Sequence, residues 1–103
     1  MEMWNRPEDG EVSIARARVS PGVTTVRHRL KDTVERYVIL EGNGSVEVGS
    51  LPLTKVGPGD VVIIPRSTPQ CITNTGDEDL IFLCICTPRF VLEEYETMAN
   101  IPQ

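Results

Sequence analysis

Apolar and polar residues in this chain follow one another in short, loosely alternating runs, the period-2 pattern of strands with one face buried, and not at helical spacing. Val12 to Val19 sets Ile14, Ala15 and Ala17 among Arg16 and Arg18 and predicts a first strand after an irregular opening. Ser20-Pro21-Gly22 breaks it. Val23 to Leu30 resumes in β-branched residues, placing His28 and Leu30 on one face and Arg27 and Arg29 on the other. After the polar turn Lys31-Asp32-Thr33, the run Glu35 to Leu40 predicts a strand with Glu35, Tyr37 and Ile39 facing one way. Asn43-Gly44 is a strong hairpin signal and returns the chain through Ser45 to Val48. Further strands are predicted at Thr54 to Val56, at Val61 to Ile64 (apolar throughout, hence buried on both faces), at Gln70 to Thr73 and at Leu80 to Cys86. The last of these is the most apolar run and is expected to be central. Pro88 ends the sheet, and Leu92 and Tyr95, three apart, predict a short helix from Glu93 to Met98 or a packed tail. The result is an all-β barrel or sandwich of short strands.

Length and composition narrow the picture. The 103 residues suit one domain, with a barrel over about 12–90, an N-terminal segment 1–11 and a C-terminal tail 91–103. No apolar run approaches the roughly 18 residues of a membrane span. The first residues carry no basic start or apolar core of a secretion signal, so a cytoplasmic protein is expected. A net charge of −5, with scattered basic residues and Arg27, Arg29, Lys31 and Arg36 interleaved with Asp32 and Glu35, argues against nucleic-acid binding. Cys71, Cys84 and Cys86 sit inside apolar runs and read as reduced thiols. Cys84 and Cys86 point to one face about 6.6 Å apart along the strand, near the upper limit for a disulfide, which makes them core residues sooner than a redox switch.

Several chemistries lack their signatures. No Gly-x-Ser-x-Gly elbow is present, and cysteines in apolar strands are not activated as nucleophiles. Gly42-Asn43-Gly44 lacks the third glycine and helix of a dinucleotide site, and Gly57-Pro58-Gly59-Asp60 lacks the lysine of a phosphate loop. Asn43-Gly44-Ser45 is read as a tight turn and not as a glycosylation acceptor.

Two segments carry positive information. The first runs Gly22, five residues, His28, six residues, Glu35, six residues, Gly42, and holds the chain's only histidine; the second runs Gly59, five residues, Pro65, eight residues, Asn74. Together they resemble the two motifs of the cupin superfamily at seven positions in register. That resemblance implies a double-stranded β-helix, the cupin or jelly-roll barrel, with a short C-terminal helix or tail. It also implies a divalent metal held by two histidines and the glutamate of the first motif and the histidine of the second. Here Leu30 replaces one histidine, Gln70 the other, and Ser67 the second motif's glycine. His28 and Glu35 remain, and the amide oxygen of Gln70 is a neutral hard donor. A His28, Glu35 and Gln70 set completed by water leans toward manganese, iron(II) or adventitious metal; the alternative is an empty site with no cofactor, in which Gln70 hydrogen-bonds His28 or Glu35.

Three functions are open on these residues, each for a small molecule bound in the barrel. One is a metal-dependent dioxygenase, isomerase or lyase using His28, Glu35 and Gln70. Another is a metal-free acid–base isomerase or epimerase of sugars or keto acids, with His28 taking a proton and Tyr37 returning one. The third is a non-catalytic binding or sensing barrel. In each, a buried Glu35 needs a metal, His28 or an arginine beside it. Small cupins commonly form homodimers, and Trp4 with the tail residues Phe90, Tyr95 and Ile101 are the expected cover for exposed strand edges.

Overall fold

The computed structural model describes residues 1–97; Met98 and Ile101, which the sequence reading includes in the tail, lie outside them. Ten strands run β1 Glu2–Trp4, β2 Ser13–Val19, β3 His28–Leu30, β4 Val34–Glu41, β5 Gly44–Val48, β6 Thr54–Val56, β7 Val61–Ile64, β8 Gln70–Asn74, β9 Leu80–Thr87 and β10 Tyr95–Thr97. They form two antiparallel five-stranded sheets, ordered β1-β2-β9-β4-β7 and β10-β3-β8-β5-β6. β9 is the middle strand of its sheet, as its apolar run predicts. Among the described residues no helix is long and apolar enough to cross a membrane.

Alternation selects the core. On β4, Glu35, Tyr37 and Ile39 are buried while Arg36 and Val38 are less so. Tyr37, Ile39, Val46, Ile64, Ile72, Leu80 and Phe82 pack into one cluster between the sheets, the non-directional burial that stabilises a sandwich.

Four local expectations are corrected. Val61 and Ile63 are 57% and 60% exposed, because β7 is an edge strand whose outer face meets no other layer. The Val23 to Leu30 strand is interrupted: Thr24 makes an isolated bridge to Thr73, and regular pairing begins only at His28. The opening residues are not irregular, since Glu2 pairs with Ala15 and extends the first sheet. In place of a helix from Glu93, one 3-10 turn at Leu92–Glu94 leads into β10, which pairs Tyr95 with Leu30 and Thr97 with His28.

Motif residues that hold the frame are buried in backbone contacts. Asn74 donates through Nδ2 to the carbonyls of Val19 (2.8 Å) and Glu78 (2.7 Å) and accepts from the Gly76 amide (2.9 Å), closing the turn after β8 onto the end of β2. Ser67, in place of the family's glycine, takes φ 59°, and its hydroxyl donates to Lys31 O at 2.7 Å. That bond helps hold a left-handed conformation that a side chain disfavours.

Candidate functional site

The two sheets bring different halves of the site together. His28 on β3 lies opposite Gln70 on β8 in the register of one sheet. In the other, Glu35 on β4 lies opposite Cys86, and Tyr37 opposite Cys84, both on β9. All six side chains face the interior, where the polar groups meet.

The histidine's tautomer follows from its bonds. Nδ1 lies 2.8 Å from Val26 O, an acceptor only, so it carries the proton and Nε2 presents a lone pair inward. The ring stacks on Tyr95, with centroids 4.9 Å apart. Gln70 Nε2 donates to His28 Nε2 at 2.9 Å, to Glu35 Oε1 at 3.4 Å and to the Tyr37 hydroxyl. The two protons of this NH₂ group are shared among three acceptors, while Gln70 Oε1 is buried without a partner. Glu35, 4% exposed, has His28 Nε2 at 3.8 Å from Oε1 and the Cys84 thiol donating to Oε2 at 3.1 Å. Its compensation comes from the Gln70 amide and the Cys84 thiol.

Burial, then the negative charge of Glu35, pushes the Tyr37 hydroxyl well above its ordinary pKa. Cys84 is also held well above the usual thiol range, first by its contact with the Cys86 sulfur (3.8 Å), then by burial and Glu35; Cys86 is lowered, first by the same contact.

A cavity of about 250 Å³ opens over this cluster, walled by Ile14, Leu30, Phe90 and Tyr95, with His28, Glu35, Cys84 and Cys86 also in its lining. Such a size suits a small metabolite and falls below that of drug-sized ligand pockets. Tyr37 and Gln70 do not line it; they sit behind His28 and Glu35. The sequence reading missed Cys84, Cys86 and Tyr95 as cavity residues. The signal for the two cysteines was their shared face on a central strand. Tyr95 had none, because its placement over His28 depends on β10 joining β3.

The divalent ion implied at His28, Glu35 and Gln70 can be tested on this arrangement. His28 suits a ligand, since an imidazole fixed through Nδ1 to a carbonyl directs its other nitrogen to a metal. Glu35 also suits. Gln70 does not: its NH₂ group has no lone pair to offer, it fills the position between the other two, and its ligating oxygen is the unpartnered atom. Leu30, 3% exposed, offers nothing. As arranged, the set does not fit that ion; only with the amide turned over would three ligands converge.

Two facing antiparallel sheets, with a polar cluster and a small cavity between them, define a double-stranded β-helix protein built around an interior site. Residues 15–86 match the cupin domain, and the chain belongs to the cupin family. An uncharacterised protein of Methanocaldococcus jannaschii is 35% identical over 86 residues, covering 84% of this chain and 68% of that protein. A glucose-6-phosphate isomerase of Pyrococcus abyssi is 37% identical over 77 residues, 71% of this chain but 40% of the isomerase. Among solved structures, an uncharacterised double-stranded β-helix protein of Klebsiella pneumoniae superposes with a TM-score of 0.82 at 16% identity, covering 93% of this chain and 79% of that one.

Proposed function

We propose that this cupin binds a small carbonyl-bearing metabolite in the interior cavity and moves a proton at the carbon beside the carbonyl, an isomerase-type reaction in which His28 is the base. The reading is carried by one observation: the His28 Nε2 lone pair and Glu35 Oε1 stand 3.8 Å apart in the lining of a mainly apolar cavity. The Gln70 amide gives up its bond to Nε2 when substrate binds; His28 Nε2 then accepts the proton from carbon, Glu35 stabilises the imidazolium, and the same nitrogen returns the proton to the neighbouring carbon of the enediol while the hydroxyl proton passes between the substrate's two oxygens. Tyr37, which the sequence reading makes the proton donor, does not line the cavity and accepts from the Gln70 amide, giving that amide a place to rest when it leaves His28. The matched segment of a glucose-6-phosphate isomerase supports the reaction class but not the substrate.

Untagged protein in deuterated water with 2-oxo acids and sugars should incorporate deuterium next to the carbonyl of its substrate. His28→Ala should lower that rate by roughly 10²- to 10⁴-fold. Undiminished uptake in His28→Ala would remove His28 as the base. A non-catalytic binding barrel is the second reading, favoured by the Gln70 amide already bonded to both His28 and Glu35; saturable binding without exchange would establish it.

We also propose a homodimer. Met1, Met3 and Trp4 are exposed on or beside β1, which ends its sheet and leaves an unpaired edge. Light scattering at micromolar concentration should give twice the 11.4 kDa chain mass; a monomer would contradict it.

A further inference from the structure

The mechanism above leaves two thiols unused, Cys86 buried and Cys84 half-buried, and they lie beside the carboxylate it does use. We infer that Cys84, Cys86 and Glu35 form a binding site for one thiophilic divalent ion of the zinc class, on the sheet that faces the sheet carrying His28. One ligand atom from each lies within 4.8 Å of the other two. The sulfurs are 3.8 Å apart. Zinc–sulfur bonds of about 2.3 Å at a tetrahedral angle require a separation of about 3.8 Å. Glu35 Oε2, 3.1 Å from Cys84 Sγ, needs to draw back by about half an ångström for tetrahedral spacing.

Strand geometry makes this a built arrangement. Cys84 and Cys86 share the inward face of β9, and Glu35 faces Cys86 across the β4–β9 ladder, so all three ligands come from two paired strands at the centre of one sheet. Two sulfur donors select a borderline-soft ion over manganese or magnesium. Binding releases both thiol protons to solvent and forms two metal–thiolate bonds. The resulting two thiolates and one carboxylate exceed the ion's charge by one. All three residues line the cavity, so the fourth position opens toward a bound molecule, as in zinc sites that keep a place for water or substrate. Cys71 is outside the group: its thiol donates to Glu47 at 3.1 Å.

The site does not depend on His28 acting as a base, and its test is separate. Reduced, metal-free protein is titrated with cobalt(II), then with zinc(II) in competition. One cobalt per chain should bring thiolate-to-cobalt charge-transfer absorption and the intense visible bands of a tetrahedral site, both displaced by zinc. Cys71→Ser should keep them. Cys84→Ser and Cys86→Ser should each lose roughly half of the charge-transfer intensity per bound cobalt and at least about 100-fold in affinity. Glu35→Gln, with both sulfurs intact, should weaken binding at least about tenfold while keeping the charge-transfer band. Circular dichroism establishes that each variant is folded, and the wild-type spectrum stands without any variant. No thiolate absorption in wild type, undiminished absorption per bound cobalt in Cys84→Ser, or its loss in Cys71→Ser would overturn the site. So would cobalt bound without thiolate absorption and released by His28→Ala, because that places the ion at the histidine.

Discussion

Gly42→Ala is expected to leave most of the protein insoluble, or to lower its unfolding free energy by roughly 3–5 kcal/mol, the sum of left-handed strain and overpacking against backbone. Gly42 has φ 86°. A Cβ there would stand 2.6 Å from Asp79 O and 2.9 Å from Leu80 Cα. Neither atom can rotate away, since Leu80 is fully buried at the start of the central strand. Small domains have only about 5–15 kcal/mol of net stability, so this is a large fraction. Gly22, the partner glycine in the first motif, provides the control: its φ is 79°, but a Cβ would meet nothing within 4 Å. Gly22→Ala should therefore cost only the backbone strain, roughly 1–2 kcal/mol. Urea unfolding of the two variants measures the difference, and equal losses would show that the close approach at Asp79 does not limit the fold.

Gln70→Leu should destabilise the protein by roughly 3 kcal/mol, the scale of leaving buried acceptors and a carboxylate without their donor. Gln70 is fully buried, and its amide is a shared donor to His28, Glu35 and Tyr37. Gln70→His asks the complementary question. A second imidazole beside His28 and Glu35 would supply a nitrogen lone pair where the amide has protons. Binding of manganese(II) or iron(II) by that variant should tighten by at least about tenfold, equivalent to 1.4 kcal/mol. Calorimetry reads both effects. Unchanged stability in Gln70→Leu would mean that the amide bonds are offset by better packing, and unchanged metal affinity in Gln70→His would mean that residue 70 does not face the ion's position.

Much of the site was legible before any coordinates. The period-2 face of β4 placed Glu35, Tyr37 and Ile39 inward together, and motif spacing placed His28 and Gln70 near them. The sequence could not reveal which atom of Gln70 faces inward. That depends on His28 Nδ1 being committed to Val26 O, which makes Nε2 an acceptor and turns the amide nitrogen toward it. Nor could the apolar run of β7 reveal its exposure: Val61 and Ile63 read as buried because apolar content cannot distinguish an interior strand from an edge strand.

By itself the sequence determined the β class, the barrel motifs and the inward faces, because side-chain alternation and turn chemistry are local properties of consecutive residues. Strand neighbours and the meeting of faces across the sandwich were decided only by the tertiary structure. Those pairings join residues as far apart in sequence as Ser13 and Cys86, which lie opposite each other in the β2–β9 ladder, and no local rule encodes them. The consequence is plainest at Glu35: the sequence required a partner for it, and the fold supplied an amide from one sheet and a thiol from the other.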